Sequence, residues 1–211
     1  YCIKNAARVP LQNELAYAGG DYSIDWEDLQ AKLADPQTTL FILCNPHNPV
    51  GRTFSRDDLA RIGELCEKHG VTVLSDEVHC DLTEPGVRYT PFAAASKSCE
   101  RISASIIAPT KAFNIAGLQS AAVFAADKRL RHKISKALNS DDIAEPNFFG
   151  VQGAIAAFTK GAPWLDALRE YLSENRKFAA EFIARELPQV HVVPQDATYL
   201  MWLDVGAYTQ D

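Results

Sequence analysis

Three polar signals occur in a fixed order along the chain. Asn48 lies in Asn45-Pro46-His47-Asn48-Pro49-Val50-Gly51, Asp76 in Ser75-Asp76-Glu77-Val78-His79, and Lys111 in Ala108-Pro109-Thr110-Lys111-Ala112-Phe113-Asn114-Ile115-Ala116-Gly117. Each follows a short apolar run of β-strand character. Singly, each has an ordinary reading: Asn-Pro makes a turn, an Asp before a helix or loop is a cap, and a Lys after a strand is a solvated charge. Together they are the side chains needed to hold an aromatic aldehyde. A lysine amine forms a Schiff base with a carbonyl. A carboxylate opposite a pyridine nitrogen favours the protonated ring. An amide donates to a phenolate oxygen. Pyridoxal 5′-phosphate (PLP) offers all three groups, which makes Lys111 the expected catalytic residue.

The elements that must position these residues are legible in outline. Thr39 to Cys44 is a continuous apolar run, suited to a strand buried on both faces. Ser55-Arg56-Asp57-Asp58 reads as a helix start resembling a capping box, with Asp in place of Glu. Leu59, Ile62, Leu65 and Cys66 follow at helical spacing, and Gly70 ends the helix. Val71 to Ser75 reads as the next strand, so this is a βαβ unit with parallel strands and a right-handed crossover. Arg101 to Ala108 and Ser120 to Ala125 read as further strands. Asp127 caps a helix to about Asn139, Phe148 to Lys160 forms another, and Trp164 to Leu187 is a long periodic stretch ended by Pro188. His191 to Val193 and Tyr199 to Leu203 read as strands of a second, smaller sheet, with Tyr199 and Trp202 in its core. The fold class expected is α/β: a mostly parallel sheet flanked by helices, with the start of a smaller α+β C-terminal domain. In open sheets of this kind ligands bind beyond the carboxyl ends of the strands, and Asn48, Asp76 and Lys111 all fall there.

Composition narrows the function classes. The chain has 211 residues, 47% hydrophobic and 23% charged, with a formal net charge of −6. That balance allows a sizeable core and argues against nucleic acid or an anionic membrane as partner. No apolar run is long enough to span a bilayer, and no signal peptide is visible. Five cysteines without a C-x-x-C pair fit a reduced, cytoplasmic setting. Five histidines show no metal-ligand spacing, and Cys80 and Asp81 face opposite ways if extended, so no metal is expected. Tyr1-Cys2-Ile3-Lys4 opens with strand-like character and without Met, and the last residues stop without a capped element; a fragment of a longer chain is expected.

The runs NPHNPVG, SDEVH and APTKAFNIAG resemble fold-type I PLP enzymes, the aspartate aminotransferase superfamily. The resemblance extends from about Val9 to the C-terminus, including Asp196-Ala197-Thr198-Tyr199-Leu200-Met201-Trp202. It implies a PLP-dependent transferase-like large domain over residues 1–165 and a partial small domain over 166–211 that begins with a long interdomain helix. It also implies that Asn48, Asp76 and Lys111 bind the cofactor, joined by Thr110 and His79, and that the enzyme is a homodimer acting on a small amino-acid substrate. Most aminotransferases of this superfamily carry Tyr at the position of His79, Ser at that of Ala108 and Arg at that of Gln119. With DEVH, APTKAFNIAGLQ and Asn147-Phe148-Phe149-Gly150, the chain is similar to the cystathionine β-lyase (C–S lyase) branch. The activity implied is α,β-elimination from cystathionine or a related cysteine S-conjugate. An aminotransferase on the same scaffold, and a non-catalytic regulatory protein that keeps the fold, are the alternatives. Ala108 and Gln119 carry no charge, which leaves the phosphate to Thr110, to backbone N–H groups or to residues outside this chain. His79 could touch the phenolate oxygen, brace Asp76, or be a satisfied strand-end histidine.

Overall fold

Alternation along one strand sets the architecture. In the computed structural model, which describes residues 2–209, Thr72–Asp76 turns Val73 and Ser75 inward to full burial while Thr72, Leu74 and Asp76 stand half-covered on the opposite face. In chain order the elements are α1 (Cys2–Asn5), β1 (Leu15–Ala18), β2 (Asp21–Ile24), α2 (Trp26–Leu33), β3 (Leu40–Cys44), α3 (Arg56–His69), β4 (Thr72–Asp76), α4 (Phe92–Ala95), α5 (Lys97–Ile102) and β5 (Ser103–Ile107). There follow α6 (Pro109–Ala112), β6 (Ala122–Ala125), α7 (Lys128–Ser140), α8 (Phe148–Lys160), α9 (Ala162–Glu186), β7 (His191–Val192) and β8 (Leu203–Asp204).

The main sheet has the order β3-β4-β5-β6. β3, β4 and β5 run parallel, with Cys44 opposite Asp76 and Asp76 opposite Ile106. β6 returns antiparallel to β5, so the sheet is mixed, with its parallel part carrying the expected site residues. The parallel crossover through α3 forms as the apolar spacing requires: Leu59, Ile62 and Cys66 are buried, Ser55 accepts from the Asp58 N–H, and Gly70 closes the helix at φ +71°. The core lies between the sheet and helices α2, α3, α4 and α5, built on Leu29, Leu43, Leu59, Val73 and Phe92.

Several boundaries differ from the sequence reading. Arg101 and Ile102 end a helix rather than begin a strand, because Ser96 caps α5 through the Cys99 N–H. Cys2 to Asn5 form a helical turn, not a strand; Tyr1 lies outside the described residues, as do Gln210 and Asp211. The second small sheet is shorter than expected, with His191–Val192 pairing Leu203–Asp204 and Tyr199 to Trp202 left irregular. Tyr199 and Trp202 are 44% and 37% exposed, so neither is core. The hairpin β1–β2 was unforeseen, although Gly19-Gly20 at positive φ is its local signal. The helix caps came out as read: Asp127 on Leu130 N–H for α7, and a start of α8 at Phe148, where Asn147 accepts from the Phe149 and Gly150 N–H groups.

Candidate active site

Three chain segments meet at the carboxyl ends of β3, β4 and β5. The first is the turn from Asn45 to Phe54. Asn45 is fully buried, and its Oδ1 accepts from Phe54 N–H at 3.2 Å, which closes the turn on itself. Within it, His47 N–H donates to the Arg52 carbonyl (2.6 Å) and Gly51 N–H to the His47 carbonyl (2.7 Å). The Asn45-Pro46 and Asn48-Pro49 bonds are cis. This path brings the Asn48 amide back over the sheet, where Nδ2 stands 3.1 Å from His79 Nε2.

The second segment ends β4. Asp76 is its last residue, and Asp76 Oδ1 accepts from Val78 N–H at 3.3 Å. A turn follows, in which Cys80 N–H bonds to Glu77 carbonyl and Leu82 N–H to His79 carbonyl. It buries His79 to 3% exposure. His79 thus sits in a turn past the strand and contacts Asn48; no hydrogen bond to Asp76 is formed. The third segment is the turn after β5. Pro109 occupies the first turn of α6, where its missing N–H costs nothing. Asn114 at φ +53° and Ile115 N–H on the Thr110 carbonyl (3.1 Å) close the turn. Phe113 stacks on Trp164 with ring centroids 5.6 Å apart, tying this turn to the start of α9. Lys111 is exposed and Thr110 is half-buried.

The electrostatics link the three segments through one ring. Burial pushes the His79 pKa down, the Lys111 ammonium pushes it further the same way, and the Asp76 carboxylate opposes them. Cys44, opposite Asp76 in the ladder, has its thiol pKa raised by burial, opposed by the Asn48 backbone N–H and raised again by Asp76. Asn48 thus contacts His79, and Lys111 and Asp76 both bear on the charge of that ring.

Beneath the site lies a polar group that sequence reasoning missed. Glu77 is 2% exposed, and its carboxylate accepts from Tyr89 Oη (2.7 Å), Ser105 Oγ (2.8 Å) and Phe92 N–H (3.2 Å). Three donors satisfy a buried carboxylate that would otherwise be costly. Tyr89 has its pKa pushed far up by burial and by the Glu77 charge. Above the site, Tyr199 stands edge-on to His79 at 5.8 Å. Its segment is pinned to the first turn, since Asp196 and Ala197 N–H groups both donate to the Gly51 carbonyl at 2.7 and 2.9 Å. No local pattern in the sequence announces either arrangement. Among the described residues, no group of three or more His, Cys, Asp or Glu could hold a metal ion.

A sheet with parallel strands β3–β5, a reversed neighbour, and Asn, Asp and Lys beyond the strand ends is that of the PLP-dependent transferases. The chain belongs to the aminotransferase class I and II family, which matches residues 3–211. It is 48% identical over 208 residues to cystathionine beta-lyase PatB of Bacillus subtilis (strain 168), which covers 99% of this chain and 54% of that protein. A PLP-bound protein of Clostridium difficile 630, described as an aminotransferase, superposes with a TM-score of 0.93 at 38% identity, over 97% of this chain and 53% of that one. The PLP-bound C–S lyase of Staphylococcus hominis gives 0.90 at 32% identity, over 98% of this chain and 51% of that one. The chain spans about half the length of these relatives. The expected superfamily and fold class are borne out.

Proposed function

We propose that the protein carrying this chain is a PLP-dependent carbon–sulfur β-lyase that takes cystathionine or a related cysteine S-conjugate and water to a thiol, pyruvate and ammonia. The observation that supports this reading is the Asn48–His79 contact beyond the β3–β4 ladder that Asp76 ends, with the Lys111 ammonium bearing on the same ring. The donor set suits the cofactor: an amine, a carboxylate and an amide, beside a buried His79 Nδ1 that has no partner of its own. When bound, the cofactor supplies an aldehyde that captures an amino group and a protonated ring that draws electrons from Cα.

The chain's own residues divide the work. Lys111 Nζ would hold the cofactor covalently, and as a free amine would serve as general base toward the Cα proton. Asp76 would face the ring nitrogen and favour its protonated form. Asn48 donates to the ring hydroxyl oxygen, and the Thr110 hydroxyl donates to the phosphate. Ala108 is 6% exposed and apolar and Gln119 is neutral, so this chain brings no cation to the positions where most relatives of this superfamily place phosphate contacts.

The lyase reading is supported by the names of the PatB and Staphylococcus relatives and by His79 in place of Tyr. A second reading, transfer of the amino group to a 2-oxo acid, is favoured by the Clostridium relative. Residues 1–165 are taken as part of the cofactor-binding domain and 166–211 as part of a smaller one, with α9 crossing the junction. A homodimer is part of the same reading; it agrees with the aromatic face of α8, where Phe148 and Phe149 are 74% and 69% exposed, and light scattering on the purified protein checks it. Five free thiols agree with a cytoplasmic location, and no helix among the described residues is long and apolar enough to cross a membrane. The deciding experiment is Lys111→Ala. The variant is expected to lose the visible absorbance of covalently held cofactor and to form no pyruvate from cystathionine; retained turnover overturns the assignment. Keto-acid exchange faster than pyruvate release in the wild type selects the transferase instead.

A further inference from the structure

His79 is buried, yet its hydrogen bonding is one-sided: Nε2 meets Asn48 Nδ2 at 3.1 Å, and Nδ1 has no partner. Two states satisfy that contact. Either Nε2 is bare and accepts an amide hydrogen, or Nε2 carries a proton and the amide is turned to offer its oxygen. The surroundings keep the ring neutral, and Nδ2 facing Nε2 selects the first state. The ring is covered by the turn after β4, which disfavours the charged imidazole, and the Lys111 ammonium from α6 works in the same direction. The Asp76 carboxylate at the end of β4 works against both and is outweighed. From the segment after β7, Tyr199 presents a ring edge. With the amide as it stands, Asn48 gives one hydrogen of Nδ2 to the imidazole and keeps the other free.

We propose that His79 is a positioning residue for Asn48: as the neutral Nδ1–H tautomer it accepts at Nε2, and so fixes which way round the amide stands when its second hydrogen meets the ring hydroxyl oxygen of the cofactor. The inference rests on the reading of Asn48 as a cofactor contact given above. It assigns His79 neither to the cofactor oxygen nor to Asp76.

The test begins on the cofactor-free, 15N-labelled protein by NMR. The His79 ring is expected in the Nδ1–H form at pH 7.5, and the two Asn48 amide hydrogens are expected to shift with the same midpoint as the ring, below 6.5. An Nε2–H ring, or an Asn48 amide that ignores the ring's titration, overturns the proposal. The second measurement is cofactor affinity. His79→Phe is expected to raise Kd roughly tenfold, the usual scale for one hydrogen bond. His79→Gln, whose oxygen can accept, recovers most of that loss. Neither change has an effect in an Asn48→Ala background; equal losses in both backgrounds overturn the proposal. If Asn48→Ala leaves Kd unchanged while the NMR coupling is present, the cofactor role of Asn48 fails and the His79–Asn48 pairing stands.

Discussion

The Asp196 carboxylate holds Thr53 twice, with Oδ2 accepting from Thr53 Oγ1 at 3.0 Å and from its N–H at 3.3 Å. These residues are far apart in sequence, so the contact clasps the turn that carries Asn48 to the segment that carries Tyr199. Asp196→Ala removes both bonds and leaves the Thr53 donors to find water. The expected loss is about 1–2 kcal/mol, read as a drop of roughly 2–8 °C in Tm for a chain of this size. Thr53→Ala should give a smaller loss, because the backbone N–H contact survives.

Gly51 is the second fastening of the same clasp. Its φ of +80° lies in the left-handed region, and a Cβ there would stand 2.7 Å from the Ala197 carbonyl oxygen. Gly51→Ala is expected to cost about 1–2 kcal/mol for the backbone conformation alone, with the carbonyl clash in addition. Urea unfolding measures the total; a loss below about 0.5 kcal/mol would show that the turn and the C-terminal segment part without penalty.

Glu77 separates charge from shape. In Glu77→Ala the Tyr89 hydroxyl, the Ser105 hydroxyl and the Phe92 N–H all lose their acceptor. The expected destabilisation is about 3–5 kcal/mol, from three neutral donors left unpaired at about 1–3 kcal/mol each. Glu77→Gln keeps one acceptor oxygen and should cost about half as much. Equal losses for the two variants would mean that the carboxylate itself matters here and the volume of the side chain does not.

Asp76→Asn removes the carboxylate opposite the proposed ring nitrogen while keeping size. With the charge pair gone, kcat is expected to fall roughly two-hundredfold to five-thousandfold, from the ~3–5 kcal/mol typical of breaking a buried pair. Thermal stability without cofactor should move by less than ~1 kcal/mol.

Two histidines set the acid limb of stability. Burial lowers the pKa of His47, and burial together with Lys111 lowers that of His79. Both are depressed in the folded chain, so the unfolded chain binds their protons first. Their contribution is complete above the ordinary 6.5 and is lost as pH falls from there through the folded values. Unfolding free energy measured from pH 7.5 down to 5 should therefore decline, ahead of the carboxylates. Replacing both histidines with Gln should flatten that limb.

Much of the candidate site is legible because its residues announce themselves locally. Asn48, Asp76 and Lys111 each follow an apolar run, and a parallel sheet brings such ends together whatever the details. Ser55, Asp127 and Asn147 cap helices through bonds that span two or three residues, which a linear reading can see. The unreadable parts depend on distant partners. Glu77 looks like a solvated neighbour of Asp76 until Tyr89 and Ser105 arrive from other elements. Tyr199 looks like core because it sits in an apolar run, yet the strand begins only at Leu203 and the Tyr199 ring reaches His79. Arg101 to Ala108 reads as one strand, whereas the cap at Ser96 carries helix through Ile102.

Helix α9 holds its own lesson. Arg169 donates to the Thr83 carbonyl at 2.9 Å and to its hydroxyl at 3.0 Å, while Arg176 pairs with Glu84 and donates to the Thr198 carbonyl at 2.8 Å. The two arginines lie two turns apart on one side, about 10 Å along the axis. A rod bolted at two points to the same short loop cannot roll or pivot against it. Any swing of the helix must drag the loop along.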